Sequence, residues 1–503
     1  MHRSVRAALT ATLLAAAAPQ ARAADVTPDQ AKALEGQIHA WVQDTLGPDI
    51  RITDRPVQVA PEGDHYRLGL PIRVTRNFKP DTIMLTGTAR PISSGRWTIE
   101  DLRIPSPSSF TADVATPNKG SPKKGQKAPE PPVPVDYTVT AGSQENQAVY
   151  DPSFATPSTL TTSVRELSIV ATSALTDQLT TMRRVAGTST LRPSGADRVD
   201  LIIDSTIEDY ALSSKMGDNQ RVDVAAVKVR ASGEVTAVSR DRIAKMIPAL
   251  MRIIGSGIPG ALKPGSRVPV GSSSGDAEIA RVMVQALQDL ASELTLDETI
   301  DSLSVHYGPF GGTASQLRIG MGAKSDDGLL QAHMDFGIDG LALPNLPLSG
   351  MADLLPHKIA LRPVVSGVPT QYFLQLMAAA GNAKDAGPQP DFVPLFSRGG
   401  VSAGMESFAF DAGGASFAGM VNAVFDSPQQ MTAQAQVTAT NFDELVQRAN
   451  NIPEMTGVLP ALLFAKGTGR AIDNRLVWDI AFRDNKLLVN GTDLSAMMDG
   501  GRK

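Results

Sequence analysis

The chain has 503 residues, a length typical of two to four domains, with 47 basic and 52 acidic side chains and a formal net charge of −5 at pH 7. Because this acidic balance is unsuited to neutralising phosphates, nucleic acid is not an expected partner. Cysteine is absent, which excludes disulfide bonds, thiolate metal ligands and lipid attachment through a thiol, so large cores must stabilise the fold.

The first 23 residues have the three parts of a cleavable signal peptide. Arg3 and Arg6 form a basic start, residues 7–18 are apolar, and Ala21 and Ala23 supply the small residues before a cleavage point. This apolar stretch is shorter than the roughly 20 residues that a membrane-spanning helix needs. We therefore predict cleavage after Ala23, export to the periplasm and a mature chain without a transmembrane segment.

Residues 24–113 predict a small domain with one helix on an antiparallel sheet. Thr27 suits the N-cap, Pro28 the first helical position, and Gln30 the reciprocal position of a capping box. Apolar residues then recur at helical spacing: Ala31, Leu34, Ile38, Trp41, Val42 and Leu46. Alternating residues predict strands at 66–74, 83–90 and 97–104.

Residues 114–135 contain six prolines and four lysines with few apolar residues between them. Such a segment cannot bury enough surface to offset the cost of ordering its backbone, so we predict a solvated linker. A basic tether to anionic lipid or peptidoglycan is the alternative interpretation.

Residues 136–270 and 271–503 predict two β-rich blocks. Runs rich in Val, Ile and Thr predict strands at 164–175, 199–207, 222–238, 302–307, 316–323, 329–343, 358–366, 402–410, 416–425 and 431–440. Helical spacing predicts helices at 241–254, 276–294, 369–381, 442–448 and 458–464, and a final hairpin joins 476–483 to 487–489. These elements predict an α+β protein with long antiparallel, curved sheets and amphipathic helices packed against them.

Four short motifs resemble catalytic signatures, but their contexts argue against chemistry. Gly400 to Gly404 fits G-x-S-x-G, yet no histidine follows Ser402 and the next residues alternate like a strand. Residues 255–260 fit G-x-G-x-x-G, but the prolines at and after this stretch prevent a phosphate-binding helix. Residues 121–124 fit S-x-x-K inside the predicted linker, and Asp335-Phe336-Gly337 lacks the other kinase motifs.

The titratable residues do not form a recognisable metal or acid–base motif. The histidines at 39, 65, 306, 333 and 357 lack ligand spacing, and no twelve-residue calcium loop occurs. Adjacent carboxylates at 208–209 and 326–327 are expected to be solvated. The sequence therefore predicts no catalytic, cofactor-binding or metal-ligating residues and no cofactor.

The C-terminal 200 residues carry a resemblance. The segment from Leu341-Ala342-Leu343-Pro344 to Leu354-Leu355-Pro356, and the ending Arg475-Leu476-Val477-Trp478-Asp479-Ile480 with Leu487-Leu488-Val489-Asn490-Gly491, resemble periplasmic envelope proteins of the YdgA and AsmA-like kind. That resemblance implies an envelope role without an assigned catalytic site. Those proteins are often anchored by an uncleaved N-terminal helix, whereas this chain has a good cleavage site.

Two hypotheses from different classes follow. The long alternating strands favour an exported, non-enzymatic protein that binds or carries an apolar, lipid-like ligand on a sheet face. The alternative is a structural or assembly factor that contacts other envelope proteins through its sheets. A hydrolase is the least favoured interpretation.

Overall fold

The computed structural model describes residues 26–45, 51–52, 57–73, 83–93, 95–114, 133–151, 154, 156–173, 176–216, 220–240, 293–344, 354–372, 393–396, 399–427 and 429–495. The signal peptide, the helix predicted at 241–254 and nearly all of the helices predicted at 276–294 and 369–381 lie outside these residues. So do the centre of the 114–135 linker and the motifs at 121–124 and 255–260.

Most described residues are in strands. The first twelve are β1 (Arg51–Ile52), β2 (Gln58–Glu62), β3 (His65–Arg73), β4 (Ile83–Ser93), β5 (Arg96–Arg103), β6 (Ser108–Val114), β7 (Val133–Thr140), β8 (Ser143–Asp151), β9 (Thr156–Thr172), β10 (Thr176–Pro193), β11 (Arg198–Met216) and β12 (Gln220–Ser239). The others are β13 (Glu293–Tyr307), β14 (Phe310–Asp326), β15 (Leu329–Asp339), β16 (Lys358–Pro369), β17 (Val401–Ala412), β18 (Ala415–Ser427), β19 (Gln430–Thr440), β20 (Arg470–Ile472), β21 (Arg475–Arg483), β22 (Lys486–Val489) and β23 (Thr492–Asp493). Among the described residues, the α-helices longer than one turn are α1 (Pro28–Thr45), α2 (Phe442–Asn450) and α3 (Leu459–Thr468), and 3-10 helices occupy Val393–Phe396 and Pro453–Met455.

These strands form one open antiparallel sheet, so the predicted α+β class is wrong. Strands account for 72% and helices for 14% of the structure. The sheet runs from β3 through β4, β5 and β8 to β9, then in chain order to β19, and finally through β21 to β23. The class is wrong because strands dominate and the described helices are few and short. Pairing of β5 with β8 and of β12 with β13 also joins stretches that looked like separate sheets. The helices therefore cover parts of one sheet and do not form a layer of their own.

The N-terminal helix α1 begins as predicted but uses a different capping partner. The Thr27 hydroxyl accepts a hydrogen bond from the Gln30 amide at 3.3 Å. The Gln30 side chain does not complete a capping box, because its Oε1 lies 3.0 Å from the Tyr66 hydroxyl. That hydroxyl accepts the Thr27 amide hydrogen at 2.7 Å. Tyr66, which is fully buried, thus fixes α1 on β3.

Replacing Tyr66 with phenylalanine should destabilise the protein by about 1–3 kcal/mol, because the Thr27 amide loses its acceptor beside a buried ring. Urea unfolding of the purified protein would measure the change. Tyr150→Phe is the matched control, since Tyr150 packs on the same core and its hydroxyl has no hydrogen bond among the described residues. It should change stability by less than about 0.5 kcal/mol. Equal effects of the two substitutions would show that the hydrogen bonds of the Tyr66 hydroxyl do not contribute to stability.

Candidate functional site

The register of the ladder defines one apolar face of the sheet. Because directly paired residues of neighbouring strands point to the same face, paired positions form transverse rows that cross the strands. We number four such rows on this face of β9 to β21. Row one contains only apolar residues: Val164, Val185, Ile207, Val229, Ile300, Leu317, Ile338, Ile359, Phe410, Phe417, Ala439 and Leu476.

The next three rows continue the apolar face along the strands. Row two contains Thr162, Gly187, Ser205, Ala231, Glu298, Ile319, Phe336, Leu361, Phe408, Gly419, Val437 and Trp478. Row three contains Leu160, Ser189, Ile203, Gly233, Leu296, Met321, Met334, Pro363, Met405, Val421, Ala435 and Ile480. Row four contains Leu191, Leu201, Val235, Leu294, Ala323, Ala332, Val365, Ala403, Ala423, Ala433 and Phe482. From strand and residue spacings, these rows, hereafter the apolar field, measure about 50 Å by about 20 Å.

Helices cover this face at both ends of the sheet. At the N-terminal end, pairing continues from Leu160 through Ala148, Ile99 and Ala89 to Tyr66, on which α1 packs. At the C-terminal end, α2 and α3 pack on the last strands, with Phe442 and Trp478 at the centre of the contact. The described helices therefore share one face, and none of them packs on its middle.

Two smaller clusters close the field along the edge of row four. Phe154 packs on a cluster of four buried residues that includes Leu191 and Leu201. The 3-10 helix at Val393–Phe396 contributes Leu395 and Phe396 to a second cluster. The exposed part of the field thus lies between the two helix-covered ends, and the clusters at row four cover the edge on one side of it.

The middle of the apolar field is accessible to solvent. Seven large apolar residues of the four rows are at least 36% exposed: Leu160, Ile203, Leu296, Ile319, Met321, Met334 and Val421. Six of the seven belong to row three, so the exposure is concentrated along one row. Monomeric proteins rarely expose contiguous apolar patches beyond a few hundred Å², and larger ones mark binding surfaces. This accessible strip is the candidate binding site.

The opposite face of the same strands is polar. The row that follows row one along the strands lies on that face and contains Arg165, Arg184, Glu208, Lys228, Asp301, Gln316, Asp339, Lys358, Asp411, Ser416, Thr440 and Arg475. Several members form ion pairs, such as Arg230 with Asp301 at 3.1 Å and Lys358 with Asp339 at 3.6 Å. This row of charged and polar side chains is therefore suited to contact with water.

A line of residues with left-handed backbone conformation marks the boundary of the field next to row one. Glu166, Asp209 and Ser302 have φ between 51° and 57° and occupy the same level of β9, β11 and β13. Gly340, at the end of β15, has φ 64° and lies opposite Ser315 of β14 at that level. Such residues interrupt the extended backbone, and here they lie where the four rows end.

Beyond this line, the same face holds a depression of about 250 Å³ with a mixed lining. The apolar part includes Leu179, and the polar part includes Arg221, Asp223 and His306. The Ser213 hydroxyl and then the Arg221 guanidinium hold the pKa of Asp223 below its usual value. The carboxylate is thus already hydrogen-bonded within the protein.

The two look-alike motifs within the described residues, at 400–404 and 335–337, contribute to strands. Ser402 lies in β17, where its hydroxyl donates to Asn422 Oδ1 at 2.6 Å. The strand predicted after this serine is confirmed as β17. Asp335 and Phe336 are consecutive in β15, with Asp335 3.3 Å from Arg362 on the polar face. In the part of the chain that the structure describes, no three His, Asp or Glu residues converge as a metal site would require.

No protein-family model matches this chain, and no curated protein or solved structure matches it either. The resemblance of the C-terminal part to YdgA and AsmA-like proteins therefore stays a prediction. None of the described helices combines the length and the apolar character that crossing a membrane requires.

Proposed function

We propose that this chain is an exported periplasmic protein that binds an apolar, lipid-like ligand on the apolar field. The observation that carries the proposal is the accessible row three, which runs from Leu160 to Val421 without a charged residue. Helices cover both ends of the same face, so the exposure is a feature of the centre only. An alkyl chain lying on these rows would replace water over aliphatic side chains and methionines.

The energetics favour such a ligand. Burying apolar surface stabilises a complex by roughly 25 cal/mol per Å², so even about 200 Å² of newly covered surface contributes about 5 kcal/mol before the costs of association. The exposed side chains at the centre include Met321 and Met334, which are paired with each other. Methionine adapts to ligands of varied shape because its side chain is flexible and polarisable.

Binding of the uncharged dye N-phenyl-1-naphthylamine to the purified mature protein tests the proposal. We expect saturable fluorescence enhancement by the wild type and at least about tenfold weaker binding by Met334→Glu, because a carboxylate in the field must be desolvated. Met420→Glu is a matched control. Met334 is 51% and Met420 50% exposed, but Met420 lies on the polar face of β18, so this variant should bind like the wild type.

Equal loss of dye binding in both methionine variants would place the dye elsewhere, and absence of binding by the wild type would contradict the proposal. A second candidate function, assembly with another envelope protein, would use the same exposed rows. In that case a crosslinked partner would be lost in Met334→Glu while the wild type bound no dye.

A further inference from the structure

One charged residue lies within the apolar field. Glu298 is the only Asp, Glu, Lys or Arg among the four rows. Its cross-strand partners are Ala231 and Ile319, and its same-face neighbours along β13 are Leu296 and Ile300. The alternation of this strand calls for an apolar residue at the position. A carboxylate among aliphatic side chains is costly unless a partner satisfies it.

The protein itself does not supply that partner within the described residues. Glu298 is partly buried and makes no hydrogen bond or ion pair with a described side chain. By contrast, Asp301 on the polar face of the same strand accepts hydrogen bonds from Arg230 at 3.1 Å and Gln316 at 2.9 Å. Positions where a sequence departs from the local pattern without a compensating contact tend to be functional.

The register places a strip of small residues beside Glu298. On β9 to β12 the members of row two are small or bear only a hydroxyl: Thr162, Gly187, Ser205 and Ala231. Row one is aliphatic over the same strands, and row three alternates there between large and small residues, with Leu160 and Ile203 separated by Ser189 and followed by Gly233. Four strand spacings give this strip a length of about 19 Å up to Glu298. Beyond Glu298 row two becomes bulky at Ile319 and Phe336, which ends the strip.

We infer that Glu298 selects cationic amphiphiles, in which a linear alkyl chain carries a primary amine at one end. The inference rests on the proposed function and names its ligand class. The alkyl chain would lie along row two from β9 toward β13, with its ammonium group against the Glu298 carboxylate. A hydrogen bond between opposite charges in a partly dry site is stronger than one between neutral groups. The four rows contain no cation that would compete for the carboxylate.

Displacement of bound N-phenyl-1-naphthylamine by dodecylamine and by dodecanoate, at pH 7 and below their micelle concentrations, tests this inference. The two competitors share a chain length and differ in the charge of the head. We expect dodecylamine to displace the dye from the wild type at about tenfold lower concentration than dodecanoate, which corresponds to about 1.4 kcal/mol. Glu298→Gln should bring the ratio close to one and bind the uncharged dye more tightly, because a charge leaves the field.

Glu234→Gln is the control, since Glu234 is exposed on the polar face of β12 and should keep the wild-type ratio. Dye binding without a preference for the amine, or a preference that survives Glu298→Gln, would overturn this inference and leave the proposed function standing. If the wild type binds no dye, the proposed function fails and this inference fails with it.

Discussion

Replacing Trp478 with alanine should destabilise the protein by about 3–5 kcal/mol, because the ring is the centre of the core that holds α2 and α3 on the sheet. The side chain is 7% exposed and packs edge-on against Phe442, with ring centroids 5.7 Å apart. Its indole nitrogen donates to the Ala465 carbonyl of α3 at 2.9 Å. Truncation leaves a cavity and removes one of the hydrogen bonds to the Ala465 carbonyl, which still accepts from the Gly469 amide and the Thr468 hydroxyl. Urea unfolding would measure the loss.

Trp478→Phe separates the contribution of apolar packing from that of the hydrogen bond to Ala465. Phenylalanine keeps most of the apolar contact with Phe442 but cannot donate to Ala465, so we expect a loss of about 1–2 kcal/mol. Hydrogen exchange of the α3 amides should accelerate in both variants, and more in the alanine variant, because α3 would detach first. A loss below about 1 kcal/mol for Trp478→Ala would show that the two helices do not depend on this contact.

Short-range signals predicted part of the fold. The predicted helices at 442–448 and 458–464 are confirmed as α2 and α3. The final hairpin is confirmed as β21 and β22, with Asp484 and Asn485 both at positive φ in its turn. These elements depend on spacing and turn chemistry within about ten residues. Their sequences therefore contain the information that determines them.

Long-range pairing was not predictable in the same way. β10 has charged or polar side chains on both faces, including Gln178, Arg183 and Arg184, so no alternation marks it as a strand. It is a strand because β9 and β11 pair with it along almost its whole length. The helix predicted at 276–294 ran into Glu293 and Leu294, which are the start of β13. Tertiary pairing decided these positions against local periodicity.

The candidate site was missed for the same reason. Its rows join residues from strands that are more than 300 positions apart, and only the register aligns them. An apolar sheet face was expected from the alternation, but its exposed centre was not. One local signal for Glu298 did exist. Leu294, Leu296 and Ile300 alternate around it, so a charged residue stands where the strand pattern requires an apolar one.

Replacing Gly404 with alanine should destabilise the protein by about 3 kcal/mol or more, because the strand beside it leaves no room for a side chain. A β-carbon at this position would lie 2.1 Å from the Val421 carbonyl oxygen and 2.9 Å from the Asn422 α-carbon. Both contacts are with backbone of β18, so relief requires separating paired strands. The second glycine of the G-x-S-x-G motif therefore serves sheet pairing.

Two further substitutions, Ser402→Ala and Gly36→Ala, should change stability much less than Gly404→Ala. Ser402→Ala removes one exposed hydrogen bond to Asn422 and should cost less than about 1 kcal/mol, with dye binding retained. Gly36→Ala, in the exposed part of α1 with open space around it, should stabilise the helix by about 0.5–1 kcal/mol. Urea unfolding of the three variants would measure the order of their stabilities. If Gly404→Ala is as stable as the wild type, β17 and β18 do not pair as described. If Ser402→Ala alone abolishes a measurable activity, the motif has the catalytic role that its strand context argues against.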